Sequence, residues 1–380
     1  MQVKFMREEI MRAINIVNRG VTKDSAIALG GIMIQANSDN TVAITSYSAN
    51  ICVKYIMNAE VSSAGSFVVD AKLFDNIAKK FNGEYINLDC DDKFVVNLKS
   101  GKSKIKIQGQ SAGAYPEIEN VKDTSSFSLS CSQLKNILKK TIPFAAVSAA
   151  KKPILVGVLF EIENGTLHNV ASDGLRVAYT QTSVNADCEN NSMVICLEAL
   201  KEIAKVTPDI DTKIKIRSDG RNVVFEYENY IITARILSGQ YLKYKSLMKN
   251  APTVKATVDK HEFKETLERG LLIVNTDMLL DGKKFQKTPV VLSIGNEKIQ
   301  LEAETQKGTV KDDCAAECEG ELRIGFNCEY LIDMISVCDS ETITLEMSNA
   351  VSAVYVHDTG NTTYLVLQVR LKKARCILWI

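Results

Sequence analysis

The sequence predicts an α+β fold of three repeated domains, each made of antiparallel strands with two helices on one face. Three observations carry this. An amphipathic helix, a hairpin, a second amphipathic helix and a closing strand pair recur three times in the same order. The equivalent helix positions Ile77, Ile203 and Met334 lie 126 and 131 residues apart. The apolar period switches between 3.6 in the helical stretches and 2 in the strands. The expected domains are 1–122, 126–250 and 252–371, followed by an extra tail, 372–380.

Each domain opens on a short strand and a helix: VKFMREEIMRAINIV (3–17), FSLSCSQLKNILKKTI (127–142) and ATVDKHEFKETLERGLLIV (256–274). Ile10, Ile14 and Val17 fall at helical spacing, as do Leu134, Ile137 and Leu138, and Phe263, Leu267 and Leu271. Hairpins follow at 31–46, 157–172 and 290–304, where apolar runs are split by Asn, Asp or Gly turns. A lead-in strand and second helix come next: FVVDAKLFDNIAKK (67–80), MVICLEALKEIAKV (193–206) and IGFNCEYLIDMISV (324–337). Strand pairs close the domains at 93–109, 222–237 and 352–371. Three unrelated α+β domains would not repeat both order and spacing.

At 380 residues, 46% apolar and 24% charged, the composition is that of a globular protein and excludes a disordered, collagenous or coiled-coil chain. No run approaches the roughly 18 apolar residues of a membrane helix. The opening MQVKFMREEIMRAINIV has early acids and no apolar core, so it does not read as a signal peptide. Ten cysteines spread from Cys52 to Cys376 read as buried thiols of a reducing cytoplasm. His168, His261 and His357 are far apart, which speaks against a His-ligated metal or a His-based triad. The zero net charge hides an asymmetry: +1 over 1–125, +4 over 126–250 and −5 over 251–380.

The stretch KKPILVGVLFEIENGTLHNVASDGLRVAYT (151–180) carries Gly157, Leu159, Phe160, Glu161, Val170, Ala171, Ser172, Asp173, Gly174, Arg176 and Ala178. It resembles the middle domain of the bacterial DNA polymerase III β subunit family, the sliding clamps. GQYLKY (239–244) and YLVLQVRL (364–371) resemble two further family elements. Leu242 and Gln368 stand where the family usually has Pro, and SYSAN (46–50) where T-D-hydrophobic-E is common. The resemblance spans 1–371.

The resemblance implies a non-catalytic processivity factor: a ring-shaped head-to-tail homodimer encircling double-stranded DNA without reading its sequence. It implies no cofactor, no metal and no membrane. Its partners would be the polymerase III α subunit, the clamp loader and repair proteins, bound through short linear motifs, in a cytoplasmic, nucleoid-associated setting. Attracting phosphates without reading bases calls for Lys and Arg. The helices supply Arg7, Arg12, Lys79, Lys80, Lys135, Lys139, Lys140, Lys205, Lys264 and Arg269. By resemblance Lys23, Lys72, Lys151 and Lys152 join them, whereas Ser148, Ala149, Leu197 and Glu198 stand at positions that are often basic or polar in the family.

For the subunit joint, Lys99, Lys102, Lys104 and Lys106 lie near one edge of the first domain. Glu302 and Glu304, then Asp312 and Asp313, offer opposite charge on the third. Ile105, Leu272 and Ile273 would give the apolar centre, by resemblance. The implied peptide pocket is lined by Leu155, Ser172, Gly174, Leu175, Arg176, Val177, Leu242, Leu247, Val351, Ala353, Leu365, Val366, Leu367, Gln368, Val369, Arg370 and Leu371. The tail KKARCILWI is apolar at its end and holds the only tryptophan, Trp379. It reads as a segment able to enter its own or a neighbour's pocket.

Other classes are weaker. Gly101-Lys102-Ser103 lacks the upstream Gly of a P-loop, with Val96 in its place, and lies in a strand pattern. Asp173-Gly174 has no following series of acidic ligands. Cys314 and Cys318 lack two further nearby zinc ligands. A sequence-specific DNA reader would need a recognition helix or a strongly basic domain. The alternative left open is a DNA-binding or scaffold protein that does not form a clamp.

Overall fold

The computed structural model describes residues 1–21, 30–116, 125–148, 152–187, 190–274 and 288–371, with the backbone of 279–280 and 283–284. Lys23, Ala149, Lys151 and the tail 372–380 lie outside the described residues. The chain forms two compact units: Met1–Asn136 with Val184–Leu237, and Ile137–Ser183 with Ser238–Ile380.

In the first unit, helix α1 (Arg7–Val17) buries Ile10, Ala13, Ile14 and Val17, the stripe that helical spacing demands. Helix α2 (Ala71–Lys80) starts at Asp70, whose carboxylate accepts the Leu73 N–H at 2.6 Å, and ends on Lys79 and Lys80. Both features suit the helix dipole. Helix α3 (Cys131–Thr141) opens with a capping box. Ser130 Oγ accepts the Gln133 N–H at 3.2 Å, and Gln133 Oε1 accepts the Ser130 N–H at 2.9 Å. Helix α4 spans Leu197–Val206.

The strands of this unit form a 10-stranded and a 5-stranded antiparallel sheet. In the larger, Ile51–Asn58 of the first repeat pairs with Tyr230–Arg235 of the second, Tyr55 opposite Tyr230 and Val53 opposite Ile232. The smaller runs Glu60–Ser63, Gln2–Met6, Tyr85–Cys90, Val95–Ser100, Ser103–Gln108, which leaves Ser103–Gln108 as an edge.

In the second unit, the short α5 (Tyr244–Leu247) precedes α6 (Lys260–Val274) and α7 (Cys328–Val337). Asp259 caps α6 by accepting the Glu262 N–H at 2.9 Å, and Asn327 caps α7 by accepting the Glu329 N–H at 3.0 Å. The two helices meet where Cys328 Sγ donates to the Leu267 carbonyl at 3.1 Å. Here Arg176–Ser183 of the second repeat pairs with Thr362–Val366 of the third, Ala178 opposite Tyr364. A 4-stranded sheet runs Gly308–Ala315, Lys298–Thr305, Val290–Gly295, Leu322–Phe326.

The order strand, helix, strands, strand, helix, strands recurs three times. Besides short strands such as Glu60–Ser63 and Glu317–Glu319, two longer strands per repeat exceed the expectation. A third strand extends each hairpin (Ile51–Asn58, Arg176–Ser183, Gly308–Ala315), and Tyr85–Cys90, Lys213–Ser218 and Thr342–Met347 precede the closing pairs. GTVKDDCA hides its strand because an exposed edge needs no apolar alternation. Because sheets run on from one repeat into the next, the compact units divide α3 between Asn136 and Ile137 and do not part at the links around 122–126 and 250–252.

Candidate binding surfaces

The turn Ser172-Asp173-Gly174-Leu175-Arg176 explains its own sequence. Ser172 Oγ accepts the Gly174 N–H at 3.0 Å, and Asp173 Oδ1 accepts the N–H of Leu175 at 2.9 Å and of Arg176 at 3.1 Å. Gly174 sits at φ +95°, where a side chain is strained. The turn throws Leu175 into solvent, 51% exposed, and draws Arg176 inward.

Arg176 joins the second repeat to the third. Its guanidinium binds Asp173 (2.9 Å), Asp333 on α7 and the Pro143 carbonyl (2.9 Å), and lies over the rings of Tyr330 (4.4 Å) and Phe144 (5.3 Å). Phe144, Tyr330 and Asp333 are not readable from the sequence as its partners. Only the Asp173–Arg176 pair, three residues apart, is.

Leu175, Leu247, Val351 and Leu367 are all large, apolar and at least 40% exposed. Hydrogen bonds to the carbonyls of Leu175, Val351 and Leu247 hold these residues beside the segment 355–368. Leu367 N–H donates to the Leu175 carbonyl at 2.9 Å, Gln368 Nε2 to the Val351 carbonyl at 3.5 Å, and Tyr355 OH to the Leu247 carbonyl at 2.9 Å. Leu155, Ser172, Val177, Leu365 and Val366, also expected in the lining, are buried. Leu242, Ala353, Val369 and Leu371 are half-buried, and Arg370 is exposed. Pairing passes over residue 368, since Leu367 and Val369 (to the Gly325 carbonyl, 2.8 Å) supply the N–H groups. Gln368 Oε1 is buried without a hydrogen-bond partner.

A network that the sequence does not announce holds α5. Tyr244 OH donates to Glu161, and Lys245 Nζ reaches Glu163 (2.5 Å) and Glu161 (3.5 Å). His168 Nδ1 meets Tyr179 OH at 2.8 Å. Burial pushes the Tyr244 hydroxyl above its ordinary range, reinforced by Glu161, and pulls the His168 imidazole below its own.

Of the candidate phosphate-binding cations, Lys72, Lys79, Lys80, Lys139, Lys152, Lys205 and Arg269 are exposed, and Lys135 and Lys264 half-buried. Lys140 is not a surface cation. It is 1% exposed, three residues after the buried Ile137 and so on the inward stripe of α3. Its ammonium meets Asp339 (2.9 Å), the buried Asp358 (3.3 Å), the Thr359 carbonyl and Thr362 Oγ1 (3.3 Å each). Burial opposes the charge of Asp358. N–H groups of Asp339 and Ser340 and the Ser340 hydroxyl outweigh it and hold the carboxyl below the usual carboxylate range.

The other helix cations are mostly paired within the chain: Lys79 with Asp75 (2.6 Å), Lys135 with Asp209 (3.7 Å), Lys139 with Asp339 (2.9 Å), Lys205 with Glu202 (2.6 Å) and Lys264 with Glu268 (3.9 Å). Arg269 on α6 turns onto Asp312 of the strand Gly308–Ala315. Lys72, Lys80 and Lys152 have no ion pair among the described residues. Charged side chains on α6 balance, and α7 carries Glu329 and Asp333 with no base. Cationic surplus therefore sits on α2 and α3.

Strand Ser103–Gln108 is a sheet edge, as expected. Lys99 stands directly opposite Lys104, Lys102 is in the adjoining turn, and a groove of 510 Å³ is lined in part by Lys99, Lys104, Ile105 and Lys106. Leu272 on α6 is exposed, and Ile273 half-buried. The acidic counterpart needs correction. Glu302 and Glu304 lie on Lys298–Thr305, an interior strand, and Glu302 is bridged by Lys311 (3.3 Å) and Arg323 (3.7 Å). Gly308–Ala315 is the true edge, and its Asp312 and Asp313 are taken by Arg269 and Lys298. Among the described residues no group of His, Cys, Asp and Glu is arranged to hold a metal.

Residues 1–119 match the N-terminal domain of the DNA polymerase III beta subunit, 128–243 its central domain and 245–370 its C-terminal domain. A beta sliding clamp from Halalkalibacterium halodurans is 28% identical over 376 residues, 95% of this chain and 97% of that protein. One from Staphylococcus epidermidis is 26% identical over 384 residues, covering 97% and 99%. The fold is shared with the DNA polymerase sliding clamp of Bacillus subtilis (TM-score 0.89, 23% identity). It is shared equally with the beta subunit from DNA polymerase of Streptococcus pyogenes (TM-score 0.90, 23% identity), each covering 98% of this chain and 100% of the other. With three domains of one subunit matched in order along its length, the chain belongs to the family of the bacterial DNA polymerase III beta subunit, the beta sliding clamps.

Proposed function

We propose that two copies of this chain close head to tail into a ring around duplex DNA and tether the replicative polymerase, the clamp loader and repair proteins to it. Family membership makes the chain a non-catalytic processivity subunit of DNA polymerase III. Three clamp domains per copy, 1–122, 126–250 and 252–371, supply six domains to the ring. The observation that carries this reading is the threefold recurrence of one strand–helix module over nearly the whole chain. A ring of such modules holds DNA by topology, so its cations need only keep the duplex centred. Lys72, Lys80 and Lys139 on α2 and α3 suit that loose role, since phosphate contact is sequence-independent and weakens with salt. The apolar groove around Leu175 and Leu367 takes the linear motifs of the partners. The protein then resides with the chromosome.

Two measurements test the ring. Loaded by its clamp loader onto nicked circular plasmid, the protein is expected to stay bound in gel filtration and to leave once the plasmid is linearised. The K72E/K79E/K80E/K139E variant is expected to lose retention at least tenfold and to show a shallower salt dependence. Equal retention on linear DNA would remove the topological reading. In sedimentation, K104E/K106E is expected to run as a monomer, and an unchanged dimer would move the joint elsewhere.

A further inference from the structure

We propose that the segment Lys372–Ile380 folds back into the apolar groove of its own chain and competes there with partner peptides. This rests on reading the groove as the peptide site. The groove presents Leu175, Leu247, Val351 and Leu367 to solvent, all at least 40% exposed. An apolar cluster of that kind calls for an apolar occupant. The chain itself delivers one. Leu367 forms part of the wall, Val369 is tied to the Gly325 carbonyl, and Leu371 packs on Gly325 so closely that a Cβ there would lie 2.6 Å from Leu371 Cδ2.

The occupant therefore begins five residues past the wall it would cover. Its nine residues lie outside the described residues and enter here by sequence alone: KKARCILWI. Fully extended they reach about 30 Å. The two halves of the segment suit the two surfaces within reach. The basic Lys372, Lys373 and Arg375 follow directly on Leu371, which packs on Gly325, three residues before α7, whose charged side chains Glu329 and Asp333 are both acidic. Ile377, Leu378, Trp379 and Ile380 supply the apolar anchors, with the rigid aromatic side chain typical of interface hot spots. A tether this short gives an effective concentration on the order of 1 mM, so even docking with an intrinsic constant on the order of 100 µM raises the apparent Kd of a competitor about tenfold.

Trp379 is the only tryptophan, so its emission reports on this segment alone. The test compares the full chain with a chain ending at Leu371. It measures binding of a fluorescein-labelled pentapeptide ending in Leu-Phe by polarisation, and tryptophan emission in the full chain. The expected results are about tenfold tighter peptide binding by the shortened chain, a blue-shifted Trp379 emission that moves to the red when unlabelled peptide saturates the groove, and no change of emission on tenfold dilution. The W379A/L378A variant is expected to match the shortened chain. Equal affinities, or an emission that ignores the peptide, overturn the proposal. Emission that shifts on dilution places the segment in a second copy and overturns docking in its own groove. Failure of the shortened chain to bind the peptide at all overturns the groove reading itself and is thereby told apart.

Discussion

Replacing Lys140 with alanine is expected to destabilise the protein by about 3–5 kcal/mol, the cost of stripping one partner from a buried ion pair. The side chain is 1% exposed and its ammonium is enclosed by Asp339, Asp358, the Thr359 carbonyl and Thr362. Without it, the carboxylate of Asp358 stays buried with its N–H donors but no counter-charge. Lys140→Met keeps the stem and is expected to lose nearly as much. The double change Lys140→Met with Asp358→Leu is expected to recover most of it, since it removes both charges together. Urea unfolding at neutral pH measures all three, and a loss below about 1 kcal/mol for alanine would mean the pair is not sealed from water. Asp339 and Asp358 are both held below the usual carboxylate range, with burial opposing and hydrogen bonds prevailing. A depressed carboxyl stabilises the fold above the unfolded value of about 4 and loses that contribution as the pH falls through its folded value. The stability gap between the unaltered protein and the Lys140→Ala variant should therefore close in acid below about pH 4.

Turning the groove charged is the second large effect. The pair V351E/L367E is expected to weaken binding of a Leu-Phe peptide at least a hundredfold, measured on the chain ending at Leu371. Central apolar anchors in such a site carry about 2 kcal/mol or more each, and a carboxylate adds the cost of desolvating its charge. Folding is expected to be unaffected, because Val351 and Leu367 are 68% and 42% exposed. V366E, one residue away and fully buried, is expected to unfold the second unit instead. Retained peptide affinity in V351E/L367E would show that the occupant sits elsewhere.

What can be read beforehand follows from where each residue finds its partners. The turn at 172–176 is legible because Ser172, Asp173 and Gly174 act within four residues, by hydrogen bonds and a positive φ. The helices are legible from stripes such as Ile10, Ile14 and Val17 and from caps one turn away. Lys140 is misplaced by a reading of helix charge alone because its counter-charges lie about two hundred residues on, although its spacing from Ile137 already puts it on the inward stripe. The outer strand Gly308–Ala315 escapes because an edge open to water needs no apolar rhythm, and with it goes the true setting of Glu302. The stacking of Arg176 between Phe144 and Tyr330 depends on a shared sheet that no local pattern encodes.

The direct opposition of Lys99 and Lys104, on the edge strand Ser103–Gln108 and the strand beside it, has a consequence for polarity. A border whose charged side chains are all lysines repels its own twin, which disfavours pairing of two copies through identical borders. A copy approaching by the same border is thereby penalised before any contact forms, and a partner carrying acids there is favoured.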